Sequence, residues 1–114
     1  MRNTLSTSVV ICAYTEKRWD DLVAAVTSIQ QQTCLPDEII VVVDHNPNLL
    51  ERVRTQLTGV TAIANQEAQG LGGARNSGLA VAKDDVIAFL DDDAVAAPDW
   101  LEQLNVGYQD ENVL

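Results

Sequence analysis

Three consecutive carboxylates, Asp91, Asp92 and Asp93, directly follow a short apolar run at residues 86–90. A run of this length before a polar break is typical of a strand that is buried on both faces of a sheet. Ligands of open α/β sheets bind beyond the carboxyl ends of the strands, and clustered carboxylate oxygens suit a hard cation such as Mg²⁺ or Mn²⁺. The stretch therefore predicts a cation site or, as a plainer alternative, a solvated turn that caps the next helix.

Asp44 is a second carboxylate at the end of a predicted strand, because it follows the β-branched run at residues 39–43. It could contact a ligand at the same edge of the sheet as the acidic triplet. It could equally cap a helix that begins near Pro47. We expect the neighbouring His45 to be a surface loop residue, since no second metal-type ligand accompanies it.

A glycine-rich segment at residues 69–78 contains Arg75, a cation placed beside a tight turn. Free backbone N–H groups at a helix N-terminus bind anions. Small residues at a helix start can also serve only to pack the helix closely against a sheet, and the spacing leaves both interpretations open. The segment is not the dinucleotide fingerprint G-x-G-x-x-G, because Arg75 stands where the third glycine is required.

The elements that must position these groups alternate between strands and helices. Apolar runs predict four strands, at residues 7–14, 38–44, 60–64 and 86–90. A helix is expected after each strand, the first capped by Asp20 or Asp21. Short connections of this kind indicate right-handed crossovers between parallel strands. We predict an α/β, Rossmann-like three-layer sandwich with a mainly parallel sheet of order 3-2-1-4, helices on both faces and a crevice between strands 1 and 4.

Length, charge and cysteine content exclude several classes of protein. The 114 residues predict a single domain, and the formal charge of −10 argues against binding nucleic acid through its phosphates. No apolar run approaches the roughly 18 residues of a membrane span, and no signal-peptide pattern is present, so a membrane span is not expected in this segment. Cys12 and Cys34 are isolated, which favours reduced thiols and a cytoplasmic location.

From Ser8 to about Leu104, the chain resembles the N-terminal nucleotide-sugar-binding part of family 2 glycosyltransferases, which have the GT-A fold. The resemblance depends on the order and spacing of several short motifs rather than on any one of them. These motifs are residues 9–14, 39–44, 72–78, 89–93 and 98–101.

The resemblance implies a nucleotide-sugar donor site. Ala13, Tyr14 and Glu16 fall where the family contacts the base and the ribose. Asp44 matches the carboxylate that reads the base edge, typically uracil, and Arg75 matches a residue near the nucleotide. The segment from Asp44 to Pro47 replaces the usual Asp-Asp-Gly-Ser, which leaves the base preference open.

The acidic triplet matches the DxD motif of the family. That match implies that Asp93 is a ligand of Mn²⁺ or Mg²⁺, while Asp91 or Asp92 faces the ribose or the ion. The activity implied is metal-dependent, inverting transfer of a sugar, with a UDP-sugar as the expected donor. The acceptor is a hydroxyl of a glycan or a lipid-linked molecule.

In the family, the general base and the acceptor-binding half follow this motif. We therefore expect the chain to be a fragment that binds the donor but does not transfer sugar, with its catalytic base beyond Leu114. The missing half could place the enzyme at the cytoplasmic face of a membrane. The face left exposed could also drive self-association.

Two other classes use a similar sheet. A sugar-phosphate nucleotidyltransferase places a glycine-rich, basic loop after its first strand, whereas residues 15–18 contain no glycine. A non-catalytic, Mg²⁺-binding receiver-like module needs an acidic pair after its first strand and an aspartate after its third. Glu16 is a poor substitute for that pair, and the third predicted strand ends in Ala64. Both classes are ranked below the glycosyltransferase.

Overall fold

The computed structural model describes residues 6–109, in which strands and helices alternate along the chain. The elements are β1 (Thr7–Ala13), a 3₁₀ turn (Glu16–Arg18), α1 (Trp19–Gln30), β2 (Glu38–Val43), α2 (Pro47–Gln56), β3 (Thr61–Ala64), α3 (Leu71–Val81), β4 (Val86–Asp91) and α4 (Trp100–Gln109). Every predicted strand and helix is present, with ends that differ by a few residues from the predicted ones. No helix within residues 6–109 combines the length and the apolar character that a membrane crossing requires.

The four strands form one parallel sheet with the order β3-β2-β1-β4, which confirms the predicted topology. The register aligns the carboxyl ends of the three strands around the crevice. Ala13 at the end of β1 lies beside Val43 at the end of β2, and Cys12 lies beside Asp91 at the end of β4. The residues that follow these strands therefore emerge next to one another.

The helices cover both faces of the sheet, as predicted. Leu22 of α1, Leu49 of α2 and Leu101 of α4 are buried in one core with alternate residues of the strands. Ala74 of α3 packs in a second, smaller core on the other face, with Val10 among its buried residues. The chain moves outward from β1 to β3 and then returns across the sheet to β4, so crossovers of one hand put α3 opposite α1 and α2.

One prediction about a helix start is wrong, and one open alternative is not observed. Asp20 and Asp21 lie inside the first turn of α1 and do not cap it, because a 3₁₀ turn precedes the helix. That turn is capped by Thr15, whose hydroxyl oxygen accepts from the backbone N–H of Lys17 at 3.2 Å. The start of α2 is capped by Asn46 and not by Asp44.

The glycines of α3 have a packing role. A Cβ on Gly78 would stand 2.6 Å from Cγ1 of Val10 in β1, and a Cβ on Gly73 would collide with the carbonyl oxygen of Ala68. At both positions only glycine lets α3 approach its neighbours this closely. The interpretation that small residues pack the helix against the sheet is therefore confirmed at Gly78, whereas Gly73 meets the loop before α3.

Candidate functional site

A cavity of about 500 Å³ opens at the carboxyl ends of β1 and β4, where the strand order places the switch point. Its floor includes Val10 and Cys12 of β1, and its walls come from the loops that follow the strands and from the start of α3. The charged side chains that line it are Arg18, Asp44, Arg75, Asp91, Asp92 and Asp93. The cavity therefore joins apolar surface to a dense set of charges.

The fold brings most of the predicted site residues together. The predicted residues that line the cavity are Ala13, Tyr14, Asp44, Arg75, Asp91, Asp92 and Asp93. Glu16, predicted to contact the nucleotide, lies exposed in the 3₁₀ turn and is not part of the cavity lining. The bend of the chain after Tyr14 carries that side chain away from the crevice.

Asp44 joins β2 to the loop that starts α3. Its Oδ2 accepts from the backbone N–H of Gly70 at 2.8 Å, and its Oδ1 accepts from Nδ2 of Asn65 at 2.8 Å. Nδ1 of the exposed His45 lies 2.6 Å from the same Oδ1. A carboxylate has about four acceptor positions, so these contacts leave room for a further donor from a ligand.

The pKa of Asp44 lies below its ordinary value of 3.8. Burial of the carboxylate opposes this shift, but the hydrogen bonds from Asn65, His45 and Gly70 stabilise the charged form more strongly. Asp44 is therefore ionised at neutral pH.

Asn65 is a buried residue that the sequence interpretation missed. It follows β3, donates to Asp44 and to the carbonyl oxygen of Ala68, and accepts from the hydroxyl of Ser77 at 2.6 Å. These bonds connect the end of β3 to the interior of α3. The only signal in the sequence was a single asparagine after the third predicted strand, which is typical of an ordinary loop.

The three aspartates after β4 are not equivalent. Asp91 and Asp93 are exposed, whereas Asp92 is buried and its Oδ1 lies 3.3 Å from Nη1 of Arg18. Its Oδ2 has no hydrogen-bond partner among residues 6–109. Burial raises the pKa of Asp92, the Arg18 guanidinium opposes the shift, and the charges of Asp93 and Asp91 add to it. The triplet is therefore not simply a solvated turn.

Arg18 is the second residue that the sequence interpretation missed. Its Cζ lies 5.4 Å from the centroid of the Tyr14 ring, which is 54% exposed. On the α3 side, Cζ of Arg75 lies 5.4 Å from the ring centroid of Phe89. Two guanidinium groups, each near an aromatic ring, thus line a cavity that is otherwise rich in carboxylates.

Cys12 on the cavity floor carries a neutral thiol. Burial raises its pKa to about 11, the Arg75 charge opposes this shift, and the nearby aspartates reinforce it. The thiolate is the nucleophilic form of cysteine, so Cys12 is not activated for chemistry at neutral pH.

The carboxylates of the acidic turn fit a hard cation whose coordination shell is completed by a ligand. Among residues 6–109, no group of three or more His, Cys, Asp or Glu side chains is arranged to hold a metal ion. Asp91 and Asp93 nevertheless present two carboxylates at the cavity. Mg²⁺ is commonly held by one or two carboxylates together with water and the phosphates of a substrate. A cation could therefore bind here jointly with a phosphorylated ligand.

Solved structures resemble this fold over almost the whole chain. The crystal structure of S. aureus TarS 1–349 aligns with a TM-score of 0.71 at 20% sequence identity, covering 94% of this chain and 33% of that one. The same protein in complex with UDP aligns with a TM-score of 0.72 at 21% identity, with the same coverage. Identity this low shows the shared fold alone.

Curated relatives are closer in sequence. The chain is 34% identical over 108 residues to the glucosyl-dolichyl phosphate glucuronosyltransferase of Haloferax volcanii, a match that covers 92% of this chain and 34% of the relative. It is 35% identical over 107 residues to polypeptide N-acetylgalactosaminyltransferase 6 of Homo sapiens, covering 88% of this chain and 17% of that protein. The chain thus spans about a third or less of the length of these relatives.

The family comparison covers almost all of the residues that build the cavity and the sheet beneath it. The model of glycosyl transferase family 2 matches residues 8–112. This range extends from β1 through the acidic turn and α4, in the order expected from the sequence motifs. The chain therefore belongs to glycosyl transferase family 2.

Proposed function

We propose that the cavity is the donor site of a metal-dependent glycosyltransferase and that it binds a nucleoside diphosphate sugar, with UDP as the nucleotide. One observation carries this proposal: the switch crevice of a family 2 chain brings an exposed aromatic ring, an ionised carboxylate at the neighbouring strand end and two exposed aspartates into one cavity. These groups are suited to a base, a base edge and a cation, respectively.

The nucleotide side of the proposed site is built at the ends of β1 and β2. The Tyr14 ring supplies a flat apolar surface for the base. Asp44 is ionised and keeps acceptor capacity for an N–H of the base edge, and its backbone N–H is held by the carbonyl oxygen of Ala13 at 2.8 Å. Uracil has such an N–H, and UDP is the nucleotide bound in one TarS structure. These points support UDP as the nucleotide.

The charge of the cavity explains why a cation is part of the proposal. Four carboxylates and two guanidinium groups line it, so its net charge is −2 when all are ionised. A diphosphate would be repelled by this lining, and one divalent cation would neutralise it. We assign that cation to Asp91 and Asp93. When bound, it would act as a Lewis acid that stabilises the charge on the departing nucleoside diphosphate.

The chain's own residues would orient the donor and shield its phosphates. Arg75 lies on the α3 side of the cavity, where its guanidinium can donate to phosphate oxygens. The reaction proposed for the whole protein is transfer of the sugar, with inversion, to an acceptor hydroxyl. A lipid-linked glycan is a suitable acceptor class, since the Haloferax relative is named for a dolichyl phosphate-linked substrate. We place the general base and the acceptor groove outside these 114 residues.

Calorimetric titration of UDP with Mn²⁺, and again with a chelator, tests the proposal. We expect binding that requires Mn²⁺ and that is lost in Asp93→Ala and strongly weakened in Asp91→Ala, because each variant removes a proposed ligand of the cation. Asp20→Ala is a matched control, since it removes an exposed carboxylate of α1 that does not line the cavity. No UDP binding by a folded sample, or equal binding with Mn²⁺ and with chelator, would contradict the proposal.

A further inference from the structure

One side chain connects the two loops that meet at the cavity. Nη1 of Arg18 lies 3.3 Å from Oδ1 of Asp92, and Cζ of Arg18 lies 5.4 Å from the ring centroid of Tyr14. Tyr14 follows β1, whereas Asp92 belongs to the turn after β4. Arg18 itself comes from the 3₁₀ turn and lines the cavity. The same guanidinium thus lies against both walls of the switch crevice.

Asp92, the partner of Arg18, is a buried carboxylate. It is 6% exposed, one of its oxygens faces Arg18, and the other has no hydrogen-bond partner among the described residues. A buried carboxylate needs a positive charge beside it. Arg18 supplies such a charge to one oxygen of Asp92 from the protein itself.

We propose that Arg18 is a positioning residue of the donor site, an inference that rests on the proposed function. Arg18 pairs with Asp92, so Asp91 and Asp93 are the carboxylates that remain to bind a cation. It also keeps the Tyr14 ring in the position where a base would lie against it. The planar guanidinium suits both contacts, because it can pair with a carboxylate and stack on an aromatic ring.

The variant Arg18→Gln separates this role from a general structural one, because the two halves of the site should respond in opposite directions. Removing the guanidinium takes a positive charge away from the acidic turn and releases Asp92. Mg²⁺ added alone should then bind roughly threefold more tightly. UDP at saturating Mg²⁺ should bind roughly fivefold more weakly, because the ring of Tyr14 loses its support and the diphosphate loses a nearby cation.

Two further variants keep the test informative if Arg18→Gln is poorly folded. Arg18→Lys retains the charge but not the planar stacking group, so Mg²⁺ affinity should stay close to that of the wild type while UDP affinity falls in part. The double variant Arg18→Gln with Asp92→Asn removes both charges of the pair. It should restore wild-type Mg²⁺ affinity and leave UDP binding weak.

Arg52 provides the matched control. Its Cζ lies 4.0 Å from the ring centroid of Trp19, so Arg52→Gln removes the same charge and the same kind of stacking outside the cavity. Both affinities should stay unchanged in this variant. Titration calorimetry gives the affinities, and thermal unfolding shows that each variant is folded.

The outcomes separate this inference from the proposed function. Opposite shifts of the Mg²⁺ and UDP affinities in Arg18→Gln, absent from Arg52→Gln, are the expected result. Affinities that fall together, or that do not change, would overturn the role of Arg18 while leaving the donor site intact. A wild-type protein that binds neither Mg²⁺ nor UDP would contradict the proposed function and this inference together.

Discussion

At the scale of single residues, Asp44 combines a structural role with its predicted role in binding. The change Asp44→Asn keeps the shape of the side chain but replaces one of its two acceptor oxygens with an NH₂ group. Gly70 and Asn65 donate to different oxygens of Asp44, so one of these two hydrogen bonds is lost. We expect the free energy of unfolding at pH 7 to fall by about 1–3 kcal/mol, because a hydrogen bond to a charged carboxylate is lost. Urea unfolding measures this difference.

The pH dependence of the same difference follows from the lowered pKa of Asp44. A carboxylate whose pKa is lower in the folded state contributes stability above its unfolded pKa and loses it as the pH falls through its folded pKa. The gap between wild type and Asp44→Asn should therefore be full at pH 7 and shrink below the ordinary value of 3.8. Asp20→Asn serves as the control for an exposed carboxylate. A gap that is unchanged down to pH 3 would show that ionised Asp44 is not the cause.

Predicted site residues line the cavity where the side chain follows directly from the end of a strand, as those of Tyr14, Asp44 and Asp91 do. Glu16 lies outside the cavity lining, because the 3₁₀ turn redirects the chain within two residues of Tyr14. The sequence also could not distinguish Asp92 from its neighbours. The buried Asp92 contacts Arg18, which is 74 residues away in sequence.

At the scale of elements, the approach of α3 to the sheet gives a sharp prediction. Gly78→Ala should lower the free energy of unfolding by about 1–3 kcal/mol, because its Cβ would meet Val10 at 2.6 Å in a packed core. Gly72→Ala is the matched control, since it lies in the same helix and its Cβ would have no neighbour within 4 Å. It should be neutral or raise stability by up to about 1 kcal/mol through helix propensity. Chemical unfolding measures the free energy of unfolding of the two variants. Equal changes in Gly78→Ala and Gly72→Ala would refute the prediction.

The helix starts show how local signals compete. The first helix was assigned a cap at Asp20 or Asp21 because aspartate is a favoured cap residue. Thr15 starts a 3₁₀ turn first, so the two aspartates end inside α1, where they still interact favourably with the positive end of the helix. Asn46 caps α2 instead of Asp44, because the helix starts at Pro47 and Asn46 directly precedes it.

At the scale of the whole molecule, the chain spans about a third of the length of the Haloferax relative. We expect the 114-residue chain to bind a UDP-sugar but not to transfer the sugar, because the groups that activate an acceptor hydroxyl are proposed to lie elsewhere. A UDP-release assay with a panel of UDP-sugars and acceptor alcohols measures this. Acceptor-dependent release of UDP by the 114-residue chain would contradict the expectation. Self-association through an exposed face stays a prediction.

The sequence by itself determined the parallel α/β architecture, the strand order and the location of the crevice. Short apolar strands and short connections allow few arrangements, and crossovers of one hand select among them. It also identified the strand-end carboxylates, since the end of a strand is a local feature. Only the tertiary structure decided how each carboxylate is used. Asp44 is tied to Gly70 and Asn65, and Asp92 turns to Arg18, while Asp91 and Asp93 remain exposed. These differences arise from hydrogen bonds and ion pairs between distant segments, which no local pattern encodes.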